Sequence, residues 1–205
     1  MYKIGCDVSH HNKNELTGKI SRMPFVIMKA SEGKTYKDPY MTEYFSELRG
    51  RESFECDAAI GFYHYARPEN NAAKDEALHF WNTVKDFVKN CQDEFIQTFF
   101  ALDWEGNALS LTADRQNKWI LEFCDTFYQL SGKRPLLYCS SSVTKHLKTV
   151  ADSGIKLWVA YYGKKTKTPV IYNWKDWSIW QCTSYPFDID ILKDYEIIHP
   201  PYIVN

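Results

Sequence analysis

The stretch Thr98-Phe-Phe-Ala-Leu-Asp-Trp-Glu105 is an apolar, aromatic-rich run that ends in two carboxylates. A run of this length predicts a buried strand over residues 98–104. Thr112 then serves as an N-cap for a helix with apolar residues every three or four positions, which Gly132 ends. A second buried strand is predicted over Leu136–Cys139. Strand, helix and strand in this order are the repeating unit of a parallel sheet with right-handed crossovers.

The same alternation extends along the rest of the chain. Eight strands are predicted, over Ile4–Val8, Phe25–Ala30, Ala58–Tyr65, Thr98–Trp104, Leu136–Cys139, Leu157–Tyr162, Trp177–Gln181 and Phe187–Ile191. Asp38 and Asn71 are placed to cap the helices after the second and third strands. The gaps after the sixth and seventh strands do not comfortably hold a crossover helix. We therefore predict an α/β fold, a modified TIM-like barrel of five β/α units followed by three β-strands, as one domain over residues 1–205.

Composition narrows the classes of function. Hydrophobic residues make up 44% and charged residues 25%, which is typical of a globular domain. The net charge of −1 argues against a broad electrostatic surface for nucleic acid or an anionic membrane. No apolar run reaches the roughly 18 residues of a transmembrane helix. Aromatic residues reach 16%, more than a core of this size needs, so we expect some rings to line a site.

The cysteines and the N-terminal sequence indicate in which cellular compartment the protein is made and how it is released. The six cysteines form no C-x-x-C pair, and we expect all six to be reduced thiols in a protein made in the cytosol. The opening Met1-Tyr-Lys-Ile-Gly-Cys-Asp7 lacks the basic and apolar regions of a signal peptide. We expect either phage-type release or a trimmed mature form.

Acidic residues fall where the predicted parallel strands end, which is the face that carries the chemistry of such barrels. They are Asp7, Glu32, Asp103, Glu105, Asp188 and Asp190. Asp103 and Glu105 are two apart on a strand, so they project together with Trp104 opposite. One of two neighbouring carboxyls can keep its proton near neutral pH, and glycosidic hydrolysis uses an acid beside a carboxylate. The alternative, that the pair only binds backbone amides, is equally favoured by these residues alone.

His64, His10 and His11 are further candidates for site residues. His64 stands near a strand end on the expected active face, which favours a site role over a core role. His10 and His11 are adjacent on a loop and are expected to form hydrogen bonds, so no metal ligand is predicted.

At these residues the chain resembles glycoside hydrolase family 25, the Chalaropsis-type lysozymes or N-acetylmuramidases. Seven blocks carry the resemblance in order: Gly5-Cys-Asp-Val-Ser-His10; Phe25-Val-Ile-Met-Lys-Ala-Ser-Glu-Gly33 with Tyr36 and Asp38-Pro39; Gly61-Phe-Tyr-His-Tyr-Ala-Arg-Pro68; Ala101-Leu-Asp-Trp-Glu105; Arg134-Pro-Leu-Leu-Tyr138; Leu157-Trp-Val-Ala-Tyr161; and Trp180-Gln181 with Phe187-Asp-Ile189.

The resemblance implies hydrolysis of the β-1,4 bond between N-acetylmuramic acid and N-acetylglucosamine in bacterial peptidoglycan, at the cell wall. It implies Glu105 as general acid and Asp103 as nucleophile or as stabiliser of a substrate-assisted intermediate, with Asp7 and Asp188 completing the acidic set. The residues expected to bind substrate are Tyr63, His64, Tyr138, Trp158, Gln181, Glu32 and Lys29. No cofactor is expected, because carboxyls supply both proton transfer and charge stabilisation. We expect a monomer.

Two departures from the family pattern concern the substrate subsites. His11 stands where an aromatic residue is common, and Cys182 stands where W-Q-Y would place Tyr. Three alternatives remain: a non-catalytic glycan-binding module, a chitinase-like glycosidase on the same barrel, and a purely structural barrel. The complete acidic set argues against a binder, and acids gathered at one face argue against a structural barrel.

Overall fold

The computed structural model describes residues 2–12, 18–50, 59–163, 168–193 and 195–197. Its strands are β1 Lys3–Val8, β2 Phe25–Glu32, β3 Tyr36–Lys37, β4 Ala59–Tyr65, β5 Gln97–Asp103, β6 Leu136–Ser140, β7 Leu157–Ala160, β8 Ile179–Thr183 and β9 Ile189–Leu192. The eight predicted strands are all present, with boundaries shifted by up to a few residues. The basic stretch around residues 164–167 and the tail over residues 198–205 lie outside the described residues.

The sheet closes into a barrel. Its order is β1-β9-β8-β7-β6-β5-β4-β2, and a direct β1–β2 pairing joins the two ends. All neighbours are parallel except β9, which runs antiparallel to both β8 and β1. The two-residue β3 was not predicted; it pairs only with the end of β2 as a hairpin outside the barrel. An eight-stranded α/β barrel is therefore confirmed.

Four α-helices cover the outside: α1 Met41–Arg49, α2 Ala73–Asp93, α3 Ala113–Ser131 and α4 Lys148–Asp152. Between β1 and β2 the described residues form only short 3₁₀ turns, at His10–Asn12 and Ile20–Arg22. These connections put the carboxyl ends of the parallel strands at one end of the barrel, where β–α loops can build a site.

The helix ends show where sequence signals succeeded. Thr112 caps α3 by accepting a hydrogen bond from the Arg115 amide, and Gly132 ends that helix with a φ of 72°. The predicted cap at Asn71 was wrong. The Asn71 side chain instead donates to the buried Glu76 carboxylate at 2.8 Å, and Ala72 occupies the cap position. A hydrogen bond to a carboxylate is stronger than a cap formed with a neutral amide.

Apolar residues form two cores. The larger lies between the barrel and its helices and contains the fully buried Phe80, Phe100 and Phe123. The smaller fills the barrel interior, where Phe25 and Phe99 lie near the amino ends of their strands. A Cβ on Gly5 would lie 2.4 Å from the Phe25 carbonyl oxygen, and a Cβ on Gly61 would lie 2.7 Å from the Phe99 ring. Because Gly5 and Gly61 have no Cβ, the rings of Phe25 and Phe99 fit inside the barrel. They fill its interior below the end that carries the acidic residues.

Five of the six cysteines lie within the described residues. Cys6, Cys91, Cys124, Cys139 and Cys182 are free thiols, and Cys56 lies outside the described residues. Among the helices that the structure describes, none combines the length and apolarity needed to span a membrane.

Candidate active site

A cavity of about 220 Å³ opens at the carboxyl ends of the parallel strands. Nine residues line it: Asp7, Tyr63, Asp103, Glu105, Tyr138, Trp158, Tyr162, Gln181 and Asp188. The structure therefore brings together all four predicted catalytic carboxyls and four of the seven predicted substrate-binding residues. They come from β1, β4, β5, β6, β7, β8 and the segment before β9, so the closed barrel is what assembles them.

One side of the cavity carries the Asp103–Glu105 pair. Asp103 ends β5, is only 5% exposed, and has an Oδ1 atom that receives no hydrogen bond from the described residues. Glu105 continues in extended conformation and is exposed at the cavity mouth. Trp104 points the other way, where its Nε1 donates to Gln116 at 3.0 Å. The predicted alternation along this strand end is confirmed.

Burial and like charge raise the pKa of both carboxyls. Burial raises the pKa of Asp103 well above its usual range, and the charge of Glu105 adds to the effect. Burial also raises the pKa of Glu105, with Asp188 adding to it. The nearby Lys29 opposes the shift at both. The pair can therefore keep a proton at a pH where free carboxyls would have lost theirs.

The opposite side carries Asp7, held by Gln181. The Gln181 amide donates to Asp7 Oδ2 at 2.6 Å, and its carbonyl oxygen accepts from the Tyr138 hydroxyl at 2.9 Å. Tyr162 donates to the same carbonyl oxygen. Because both hydroxyls require an acceptor, the orientation of the Gln181 amide is fixed, and its N–H points at Asp7.

Sequence reasoning placed Asp190 on the last strand but gave it no role in the site. Asp190 is fully buried, and its Oδ1 accepts from Trp158 Nε1 at 2.8 Å. Its Oδ2 is buried and receives no bond from any N–H or hydroxyl of the described residues. The carboxyls of Asp7 and Asp190 are close enough to interact, and hydrogen bonding between them raises the pKa of Asp7 and lowers that of Asp190. A proton on Asp7 supplies the donor that Asp190 Oδ2 otherwise lacks.

Their pKa values agree with one shared proton. Burial raises the pKa of Asp7 well above its usual range, and the charges of Asp190 and Asp188 add to this. Burial raises the pKa of Asp190 to about 7, against the opposing hydrogen bonds from Trp158 and Asp7. Asp188 is half-buried, and burial also raises its pKa. The spacing Asp188-Ile-Asp190 is the signal that could have identified Asp190, since residues two apart share one face of a strand.

His64 is a correction to the predicted site. Tyr63 faces the cavity, so the alternation of β4 turns His64 towards the helices. There it is fully buried against the rings of Phe80 and Phe123. Its Nδ1 lies 2.8 Å from Ser31 Oγ and its Nε2 lies 2.8 Å from Glu76 Oε2. The structure therefore gives His64 a place in the outer core and no contact with the cavity.

Lys29 and Glu32 lie beside the acidic cavity, not on its wall. Lys29 is buried, and its Nζ donates to Glu32 Oε2 at 2.7 Å. Glu32 lines a neighbouring pocket of about 410 Å³ together with Arg67, whose Nε donates to Glu32 Oε1 at 2.8 Å. Arg67 stands in the Gly61–Pro68 block, and Tyr162 is the last residue of the predicted strand Leu157–Tyr162, but neither was predicted to belong to the site.

The histidines on the first loop form hydrogen bonds, as predicted. His10 Nδ1 lies 2.9 Å from Asp38 Oδ2, and the His10 amide donates to the same oxygen. Within the described ranges, no group of three or more His, Cys, Asp or Glu side chains is arranged to hold a metal ion.

The fold and site define a class: an α/β barrel with paired carboxyls in a cavity at the carboxyl ends of its strands. The sequence profile of glycosyl hydrolases family 25 matches residues 6–188, and the chain belongs to that family. It is 30% identical over 148 residues to the autolytic lysozyme of Clostridium acetobutylicum, covering 71% of this chain and 40% of that protein. The chain spans 40% to 52% of the length of the first curated relatives that it matches.

Solved structures share the fold. The muramidase from Trichobolus zukalii superposes with a TM-score of 0.74 at 24% identity, covering 96% of this chain and 98% of that one. The modular Cpl-1 endolysin, complexed with a peptidoglycan analogue, superposes with a TM-score of 0.69 at 24% identity, covering 94% of this chain and 55% of that one. These likenesses establish the barrel architecture.

Proposed function

We propose that this chain is a muramidase, which hydrolyses the β-1,4 bond between N-acetylmuramic acid and N-acetylglucosamine in bacterial peptidoglycan. The observation that carries the proposal is the gathering of Asp7, Asp103, Glu105 and Asp188 around one cavity. Membership of glycosyl hydrolase family 25 and a relative named as an autolytic lysozyme support it. We further propose that residues 1–205 act as one catalytic unit, as a monomer, at the bacterial cell wall.

We propose separate chemical roles for the two carboxyls of the pair. Glu105 is exposed at the cavity mouth and has a raised pKa, so it can donate a proton to the leaving glycosidic oxygen. Asp103 lies deeper and, when ionised, stabilises or attacks the cationic sugar carbon. In one route it forms a covalent bond to that carbon. In the other it stabilises an intermediate formed by the substrate's own acetamido group.

The aromatic residues divide into two kinds. Tyr138 and Trp158 are at most 8% exposed, and their polar atoms already bind Gln181 and Asp190. They form the cavity wall and orient its acids. Tyr162 is 56% exposed at the mouth, which leaves a ring face free to stack on a sugar. Tyr63 is 9% exposed, so its ring is largely buried at the cavity edge, close to the exposure of Tyr138.

The test is hydrolysis of purified peptidoglycan by Glu105→Gln and by a matched control, Glu122→Gln, which removes a carboxyl from the surface of α3. Wild type and control should release new reducing ends at equal rates. Glu105→Gln should lose about 10²- to 10⁴-fold, the usual contribution of a general acid, with an unchanged circular dichroism spectrum. A Glu105→Gln rate equal to that of wild type overturns the assignment of the acid.

Product identity separates the proposal from its rivals. Mass spectrometry should find fragments with N-acetylmuramic acid at the reducing end from peptidoglycan, and no release from chitin. Release from chitin alone identifies a chitinase-like glycosidase. Tight binding to cell walls without any product identifies a glycan-binding module.

A further inference from the structure

A buried cation adjoins the acidic cavity, although none of the nine lining residues is a lysine or an arginine. Lys29 is on β2, paired in register with Tyr63, which lines the cavity. Its side chain is only 7% exposed. A lysine is seldom buried to this extent without a partner that stabilises its charge.

Contacts from three elements fix the Lys29 ammonium group. Glu32 accepts its hydrogen bond at 2.7 Å, the centre of the Tyr65 ring lies 4.8 Å away, and the centre of the Tyr36 ring lies 5.6 Å away. Both rings are within the range of a cation–π interaction. An ammonium group held on several sides has little freedom to leave.

An irregularity in β2 makes the Lys29–Glu32 contact. Residues three apart on a regular strand point to opposite faces of the sheet. The register of β2 with β4 shifts between Lys29 and Ser31, which is the signature of a bulge. After the bulge Glu32 pairs with Tyr65, and its carboxylate reaches the Lys29 side chain. The backbone is therefore adapted to bring these two charges together.

Arg67 balances the charge of Glu32. Its Nη2 lies 2.6 Å from Glu32 Oε1, and its guanidinium lies 4.6 Å from the centre of the Tyr65 ring. With one carboxylate between two cations, Lys29, Glu32 and Arg67 together carry a net charge of +1, and Glu69 Oε1, 3.9 Å from Arg67 Nη1 and beyond hydrogen-bond distance, offsets part of it. Without Arg67, Glu32 would cancel the charge of Lys29, so the third member preserves a positive charge next to the acids.

The groups around this network come from several elements. Glu32, Tyr36 and Tyr65 contact the Lys29 ammonium group, and Arg67 shares Glu32 with it. Tyr63 is its register partner on β4, and the charge of Lys29 acts on His64, Asp103 and Glu105. The charge of Lys29 lowers the pKa of both Asp103 and Glu105, against the effect of burial.

We propose that Lys29 is a positioning residue whose buried charge, maintained by Glu32 and Arg67, keeps one member of the Asp103–Glu105 pair ionised while the other holds the proton. The role in catalysis rests on the proposed function, whereas the electrostatic effect on the two carboxyls does not. It differs from the sequence-based expectation that Lys29 binds substrate, and it explains why the side chain is buried instead of lining the cavity.

The experiment compares Lys29→Met, Lys29→Arg and the control Lys85→Met, which removes an exposed charge from α2. The readouts are the pH profile of kcat/KM on soluble peptidoglycan fragments and carbon-13 NMR titration of the side-chain carboxyls. Lys29→Met should move the pH profile and the titrations of Asp103 and Glu105 upward by about one pH unit, the lower end of the effect of a neighbouring charge. Lys29→Arg should restore both, and Lys85→Met should change neither.

Each outcome decides the proposal. An unchanged profile and titration with a raised KM for Lys29→Met overturns it and makes Lys29 a substrate-binding residue. If Lys29→Met does not fold by circular dichroism, Lys29→Gln is measured in the same way, with the same expected shifts. If the wild-type protein hydrolyses no peptidoglycan, the proposed function fails, and the NMR titration still tests the effect of Lys29 by itself.

Discussion

The two sides of the acidic cavity solve one physical problem in different ways. On each side two carboxyls are held close together in a largely buried setting, where two negative charges are costly. At Asp103 and Glu105 a neighbouring cation, Lys29, offsets part of that cost. At Asp7 and Asp190 the carboxyls share a hydrogen bond, and the neutral donors of Gln181 and Trp158 complete the arrangement.

Because of this difference, the Asp103–Glu105 pair can transfer its proton, whereas the Asp7–Asp190 pair retains it. Glu105 is exposed at the mouth, so a proton on that pair can reach a substrate. Asp7 and Asp190 are both buried, and a proton on Asp7 is directed at Asp190, so it stays in the wall of the cavity. We infer that the first pair performs acid catalysis and that the second fixes the geometry and the charge of the site.

The largest expected effect is that of Asp103→Asn on activity. Removing the carboxylate proposed to stabilise the sugar cation should lower kcat/KM for peptidoglycan by at least about 100-fold. The variant should be more stable than wild type at neutral pH, because the folded state no longer has to ionise a buried carboxyl whose pKa is raised. This gain should disappear below the usual Asp pKa, where the wild-type side chain is protonated in both states. Urea unfolding at neutral and acidic pH measures it, and lower stability at neutral pH contradicts the burial argument.

The second effect concerns the shared proton. Because burial raises the pKa of Asp190 to about 7, the folded state holds a proton that the unfolded chain has already released above the ordinary Asp pKa. Asp190 by itself should therefore lower the wild-type free energy of unfolding by up to about 4 kcal/mol as pH rises from about 4 to about 7, in addition to the contributions of the other carboxyls whose pKa is raised. Asp190→Asn should reduce this slope, and the exposed control Asp86→Asn should preserve it. A slope unchanged in Asp190→Asn would falsify proton sharing with Asp7.

A smaller effect is expected for Trp158→Phe, which removes the N–H donor from Asp190 Oδ1. Loss of a hydrogen bond to a charged group should cost about 1.5–3 kcal/mol of unfolding free energy. The loss should be greater at about pH 8 than at about pH 5, since the bond favours the ionised form. Trp104→Phe is the matched variant, because Trp104 donates to the neutral Gln116. Thermal unfolding at both pH values compares them, and equal pH dependence in the two variants counts against a charged Asp190.

The smallest effect is expected for Tyr138→Phe. Its hydroxyl donates to Gln181, but Tyr162 donates to the same oxygen, so Gln181 remains oriented towards Asp7. The expected cost is about 1 kcal/mol, with a loss of activity below about tenfold. Tyr138→Phe combined with Tyr162→Phe should lose more than the sum of the single variants. Additive losses in kcat/KM show that the two hydroxyls do not act through one amide.

More of the fold than of the site could be predicted from the sequence. Short apolar runs, alternating with helical patterns, predicted all eight barrel strands, because these signals are local in the sequence. The hairpin strand Tyr36–Lys37 and the cap at Asn71 were missed although their partners are near in sequence. Tyr36–Lys37 pairs with the end of β2, and the Asn71 side chain binds Glu76, five residues further on. His64 was placed near the correct end of the barrel, but its burial between Ser31 and Glu76 required the helix packing to be known.

By itself, the sequence determined the barrel and the end of it at which the carboxyls gather, because strand alternation and the crossover rule specify direction and facing. Only the tertiary structure decided which acids interact and through which partners. Gln181 reaches Asp7 across 174 residues of chain, Asp190 lies beside Asp7, and a bulge brings Glu32 to Lys29. Protonation depends on burial and on charges a few ångströms away, and those distances exist only once the barrel has closed.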